Sequence, residues 1–186
     1  MPKIAIIIGS TRPGRRGADV AKWVYDVAVK RDDAEFEILD LLDFKLPHLD
    51  EVMPAVTGQY ENDHTRAWSA AIDGFDGFVF VTPEYNHSTS GALKNAIDFL
   101  YREWNNKAAG FVSYGGGASG TRAVEHLRLI MGELQIADVR AQVAISLMND
   151  FENWTTFKPS EALEAALVTT LDQTVAWSTA LQTVRA

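Results

Sequence analysis

At 186 residues and 47% hydrophobic content, the chain is long enough for one well-buried domain and short for two. A formal net charge of −8 supplies no basic face for nucleic acid as the main partner. The lack of cysteine excludes disulfides, thiolate chemistry and Cys-ligated metal or iron–sulfur centres, in keeping with a reducing compartment. No apolar run is long enough to span a bilayer, and the N-terminus leads straight into a core strand with no room for a signal peptide. A cytoplasmic domain without membrane contact is therefore expected.

Met1 to Ile8 is almost continuously apolar, the pattern of a strand buried on both faces. Gly9 to Gly17 interrupts it with glycines, Pro13, two hydroxyl residues (Ser10, Thr11) and three arginines (Arg12, Arg15, Arg16). From Ala18 the spacing turns helical through Val20, Trp23, Val24, Val27 and Ala28. Backbone N–H groups at a helix start are unpaired and the dipole is positive there. A strand, a hydroxyl-rich turn and a helix therefore make an anion site whose simplest occupant is a phosphate. The turn has neither the Gly-x-x-x-x-Gly-Lys-Ser/Thr of a P-loop nor the Gly-x-Gly-x-x-Gly of a Rossmann dinucleotide turn. A hydroxyl-rich loop at this place is how flavodoxin-like proteins hold a single phosphomonoester. The alternative is an ordinary strand–helix turn with solvated arginines.

Arg31-Asp32-Asp33 makes a polar turn, and Glu35 to Leu41 alternates apolar and acidic residues as a strand nearer a sheet edge would. Leu42 to Gly58, with Pro47 and Pro54, reads as a long loop, a length often tied to function. Glu61 to Ile72 is expected to be helical. Gly77 to Thr82 is a second buried strand, ended by Pro83, and helical spacing returns over Gly91 to Tyr101. Ala108 to Tyr114 is a fourth strand closed by three glycines, Ala118 to Leu134 a helix, and Val139 to Leu147 a fifth strand. Met148 to Lys158 is aromatic and polar. Ser160 then offers an N-cap for a last helix reaching about Val184, with Leu163, Leu167, Leu171 and Val175 as a core stripe.

Five strands alternating with helices predict an α/β fold with a parallel sheet between two helical layers, all in one domain over residues 1–186. Right-handed crossovers leave the flavodoxin-like order 2-1-3-4-5 as the leading topology. Ligands in such sheets lie at the carboxyl ends of the strands where the order reverses, so the loops after strands one, three and four are expected to converge. The second of these reads Pro83-Glu84-Tyr85-Asn86, with Leu93-Lys94-Asn95 on the helix beyond, and the third Ser113-Tyr114-Gly115-Gly116. Together with Gly9-Ser10-Thr11-Arg12, these motifs resemble the NADPH-dependent FMN reductase family of flavodoxin-like proteins, in order from strand one to about Ile130.

The resemblance implies a tightly bound FMN. Carried over position by position, Ser10, Arg12, Arg15 and Gly17 hold the phosphate. Pro83, Glu84, Tyr85 and Asn86 line the isoalloxazine, and Ser113, Gly115 and Gly116 cover its other edge. Backbone groups on proline- and glycine-restrained loops suit a flat ring and lose little entropy on binding. Many family members carry proline where Ser90 stands and after the lysine equivalent to Lys107, and a small polar residue where Gly17 stands. The resemblance also implies a homodimer or a dimer of dimers.

The implied activity is hydride transfer from NADPH or NADH to FMN, then delivery to a small-molecule acceptor such as a quinone, free flavin, azo compound or metal ion. The cofactor carries that chemistry, so no catalytic side chain is assigned. Arg15 and Arg16 are candidates for the 2′-phosphate of NADPH. His87 beside the slot is read as solvent-exposed, and His48, His64 and His126 share no metal-ligand spacing. Two other readings stay open: a flavodoxin-type electron carrier that turns over nicotinamide poorly, and a non-flavin module for some other phosphorylated metabolite.

Overall fold

Strand parity organises the computed structural model, which describes residues 1–185. Its strands are β1 (Lys3–Ile8), β2 (Glu35–Asp40), β3 (Gly77–Pro83), β4 (Ala108–Gly115) and β5 (Ala137–Ser146), with a small hairpin of β6 (Phe151–Glu152) and β7 (Thr156–Phe157). Its helices are α1 (Gly17–Ala28), α2 (Leu41–Phe44), α3 (Asp63–Asp73), α4 (Gly91–Asp98), α5 (Thr121–Glu133) and α6 (Glu161–Arg185). β1 to β5 form one parallel sheet in the expected order β2-β1-β3-β4-β5, with Ile6 paired to Ile38 on one side and Val79 on the other.

Because side chains alternate along a strand, the sheet feeds two cores. Ile4, Ile6 and Ile8 share one with Val79, Val81, Val112 and the apolar faces of α1 and α6. Ala5 and Ile7 share the other with Phe78, Phe80, Phe111 and helices α3, α4 and α5. The second is aromatic: Trp104 meets Phe78 edge-on at 4.9 Å, and the buried indole N–H groups of Trp68 and Trp104 donate to the carbonyls of Ala96 (2.8 Å) and Ile97 (3.1 Å). No helix among the described residues is long and apolar enough to cross a membrane.

Two connections carry more structure than their composition implies. The 42–58 stretch begins with α2, whose first turn is capped by Asp40 accepting from the Leu42 N–H (3.0 Å), and includes a 3₁₀ turn at Ala55–Thr57. Asn95 of α4 pins it by donating to the Pro47 carbonyl (2.7 Å) and accepting from the Leu49 N–H (3.0 Å). The 148–158 stretch folds into the β6–β7 hairpin, reversed through Asn153 and Trp154, which both take left-handed φ values (51° and 61°). Phe157 anchors it edge-on against Trp23 of α1, ring centroids 5.3 Å apart. Strands of two residues are too short to leave a period in the sequence.

The closing helix starts as expected, with Ser160 accepting from the Leu163 N–H (3.3 Å), and buries Leu167 and Leu171. Its docking depends on small residues as much as on leucines. Thr170, Thr174 and Ser178 are buried against β3 and β4, where Gly77 and Gly110 leave hollows. A Cβ at position 110 would stand 2.5 Å from Thr174 Oγ1 and 3.0 Å from Thr170 Cγ2. Gly110→Ala must push α6 off the sheet, and overpacking of this kind costs about 1–3 kcal/mol. Chemical denaturation is expected to show that loss, and Thr174→Ala in the same chain to recover part of it.

At the opposite sheet end from the candidate site, Lys107 is 3% exposed and closes α3 by donating to the carbonyls of Ile72 (3.0 Å) and Asp73 (3.2 Å). Burial lowers its pKa to about 8; Asp73 opposes that shift and Arg185 adds to it. Between that value and the ordinary lysine range the unfolded chain holds the proton and the folded one does not. Stability therefore rises with pH across this window. Above about pH 10 the raised pKa values of Tyr60 and Tyr114 act in the opposite sense. Denaturation at pH 8 and pH 10 is expected to show a gain on the order of 2 kcal/mol in the wild type, and none in Lys107→Met.

Candidate functional site

The loops after β1, β3 and β4 meet at the carboxyl end of the sheet. The first is stitched to β3 by the Gly9 N–H, which donates to the Val81 carbonyl at 2.8 Å, and to α4 by Ser90, whose hydroxyl donates to the Gly9 carbonyl. Ser90 also N-caps α4, accepting from the Leu93 N–H at 3.0 Å, so the residue at the usual proline position holds both elements.

Ser10 is completely buried, and its Oγ lies 3.0 Å from the hydroxyl of Tyr85. Arg15 folds back over the loop, donating to the Ser10 carbonyl (2.6 Å) and pairing with Asp40 at the end of β2. Arg12 is exposed and Arg16 half-buried, and among the described residues neither pairs with a carboxylate. α1 begins at Gly17, so the positive end of its dipole points into this loop.

Tyr114 reaches the same point from β4. Its side chain passes so close to Gly17 that a Cβ there would stand 2.8 Å from the hydroxyl, so glycine at 17 is a steric requirement of Tyr114. The residue is 4% exposed, yet among the described residues its hydroxyl makes no hydrogen bond of normal geometry. Burial raises its pKa, the nearby Tyr85 raises it further, and Ser10, Arg15 and Arg12 act in the opposite direction. Three hydroxyls (Ser10, Tyr85, Tyr114) thus converge beside Arg12 and Arg15.

On the β3 side, Pro83 is buried at the strand end and the Glu84 N–H donates to the Tyr114 carbonyl at 3.1 Å. Tyr85 to Ser88 closes as a tight turn through Asn86 and His87 (φ 51° and 68°), with Tyr85 and Ser88 exchanging backbone bonds of 2.9 and 3.1 Å. Asn86 and His87 both face solvent. The Glu84 carboxylate is 7% exposed and accepts from the Nε (2.6 Å) and backbone N–H (3.3 Å) of Arg122 in the first turn of α5. It clamps the β3 loop to the helix that follows the β4 loop.

On the β4 side the Ser113 hydroxyl lies within reach of the carbonyls of Ser119 (2.9 Å) and Val143 (3.3 Å), bracing the glycine loop from below. Gly115 permits a close crossing, since a Cβ there would stand 2.9 Å from the Gly120 amide, whereas Gly116 faces open space. The cleft between the three loops, about 90 Å³, is lined by Arg12, Arg15, Arg16, Tyr85, Tyr114 and Leu147, among others. Tyr114's hydroxyl could have been placed here from its parity with Val112; the clamp from Arg122 left no signal in the sequence.

The family model for NADPH-dependent FMN reductase matches residues 2–150. The chain belongs to that family. It is 41% identical over 159 residues to an NAD(P)H-dependent FMN reductase of Nectria sp, covering 81% of this chain and 79% of that one. It is 32% identical over 143 residues to the 2-hydroxy-1,4-benzoquinone reductase of Burkholderia sp, covering 72% of each. Among solved structures, the flavoenzyme NAD(P)H:(acceptor) oxidoreductase of Paracoccus denitrificans shares the fold, with a TM-score of 0.73 over 96% of this chain and 98% of that one, at 20% identity.

In this member of the family Glu84 is a clamp, and its buried carboxylate has one cationic partner. Removing that partner leaves a charge with only the Arg122 backbone N–H to hold it. Arg122→Ala is expected to cost about 2 kcal/mol in chemical denaturation, and distinctly less in a Glu84→Gln background. Additive losses would mean that the pair is not coupled.

Proposed function

We infer that the chain is an FMN-dependent NAD(P)H oxidoreductase that delivers electrons to a small-molecule acceptor. The observation that carries this reading is the Tyr114 hydroxyl: buried, without a partner, and aimed at a loop that also holds Ser10, two unpaired arginines and the start of α1. A buried hydroxyl without a partner is costly, and a phosphomonoester accepting from it would remove the cost. The residues present therefore fit FMN.

Ser10, Arg12 and Tyr114 hold the phosphate in this reading. Gly17 admits Tyr114, and Arg15 keeps the loop in shape through Ser10 and Asp40. Pro83, Glu84 and Tyr85 line the ring through backbone groups and Asn86 through its side chain, presented by the tight turn, while Ser113 and Gly115 support the glycine loop and Gly116 leaves its open side free. The bound cofactor supplies hydride acceptance from NAD(P)H and electron delivery. The protein's part is orientation and charge stabilisation, and no side-chain acid or base is assigned. With Arg15 committed to Asp40, Arg16 is the remaining candidate for the NADPH 2′-phosphate. A quinone is the acceptor class we favour, supported by the likeness to the Burkholderia sp reductase. A homodimer is supported by Leu129, 78% exposed beside an apolar groove between α4 and α5. A cytoplasmic location accords with the absence of cysteine.

The purified protein is expected to show the visible bands of oxidised flavin and to bleach promptly when NADPH is added without oxygen. A protein that stays colourless after FMN is supplied would overturn the reading, and a yellow protein that resists NADPH would replace it with an electron carrier. Tyr114→Phe is expected to weaken FMN binding about tenfold while leaving riboflavin, which has no phosphate, unaffected.

A further inference from the structure

Ser10 is the hydroxyl that an incoming phosphate must meet, and it is 0% exposed. What covers it comes from the other side of the cleft. Tyr85, 75 residues further along the chain and itself 36% exposed, turns its hydroxyl inward to within 3.0 Å of Ser10 Oγ. The cleft left beneath it is about 90 Å³, well under the roughly 300 Å³ at the small end of cofactor pockets. Tyr85 is also held lightly. Its backbone belongs to no sheet, and the two bonds it exchanges with Ser88 close a turn through two left-handed residues. Tyr114 lines the same cleft as Tyr85, and its hydroxyl has no hydrogen-bond partner among the described residues.

We propose that Tyr85 is a latch over the phosphate cradle. Its hydroxyl keeps Ser10 hydrogen-bonded while the cleft is closed, and the side chain swings toward solvent as the phosphate takes its place. The direction of exchange follows from the bonds involved. The Tyr85–Ser10 contact is a neutral hydroxyl pair, whereas a phosphate dianion accepting from Ser10 and Tyr114 forms charge-assisted bonds of about twice the strength. The proposal rests on the FMN reading above and adds to it that loading is limited by the opening of Tyr85.

The test is stopped-flow mixing of full-length apoprotein with FMN, following the quenching of flavin fluorescence, and FMN release measured separately. Tyr85→Phe removes only the latch bond. It is expected to raise the association rate constant about fivefold, the equivalent of one ordinary hydrogen bond, and to leave the dissociation rate constant unchanged. A faster dissociation with unchanged association would overturn the latch and make Tyr85 a holder of the bound phosphate. Identical rates would make the contact incidental. A wild-type protein that quenches no FMN fluorescence at all would overturn the flavin reading and the latch together, which separates the two failures.

Discussion

Ile4–Ile8 is buried on both faces in the interior of the sheet, with a strand on each side, and that placement sets the rest of the fold. With β1 interior, something must flank it on each side. β2, whose acidic residues alternate with apolar ones and stay partly exposed, lies at the edge. β3, buried along its whole length, takes the inner side. The chain therefore runs outward from β1 to β2 and must cross back over β1 to reach β3. That reversal opens the crevice between the ends of β1 and β3, and both of the loops that bound it carry polar residues. The site is placed by the order of the strands before any side chain is considered.

Parity then decides which side chains reach the crevice. Val112 and Tyr114 lie on the same sheet face, toward α1, so Tyr114 continues the apolar column of that core but ends in a hydroxyl at the loop. A phenylalanine would complete the column at no polar cost. The hydroxyl is instead buried without a partner, and α1 is allowed near it only because residue 17 has no side chain. Burying an unpaired hydroxyl and opening the helix start to receive it are both unfavourable for the isolated fold, and both become intelligible when the loop has an anion to hold.

The long apolar strands were legible from the sequence because burial on both faces writes itself as a continuous run, and β2 because burial on one face writes itself as alternation. α6 is legible from its leucine stripe, but not its manner of docking: Thr170, Thr174 and Ser178 carry no apolar signal, and their burial depends on Gly77 and Gly110 beneath them. The β6–β7 hairpin is too short to carry a period. At the site, the loops and their order could be read, since glycine, proline and hydroxyl residues cluster at strand ends. Partnerships across the sequence could not. Arg15 and Arg16 are indistinguishable in the sequence, yet one is bound to Asp40, 25 residues on, and the other meets no carboxylate among the described residues. Glu84 reads as a ring-lining residue, and its tie to Arg122 depends on the β4 loop bringing the start of α5 beside it.

The distribution of charge makes the same point from another direction. In a chain with a net charge of −8, carboxylates are plentiful, and Arg31, Arg66, Arg122, Arg128 and Arg185 each pair with at least one. Arg12 and Arg16 stand in the loop after β1 at the positive end of α1 without such a partner among the described residues, and the acidic group that does approach, Asp40, is paired with Arg15. Two guanidiniums and the start of α1 thus meet at one loop of an acidic chain, beside the Tyr114 hydroxyl, which has no hydrogen-bond partner among the described residues. A dianionic phosphate satisfies the dipole, the guanidiniums and the hydroxyls at once, whereas water would satisfy only the hydroxyls. On the proposed reading, selectivity for a phosphorylated flavin over its unphosphorylated form follows, because the loop after β1 supplies the groups that would meet the phosphate.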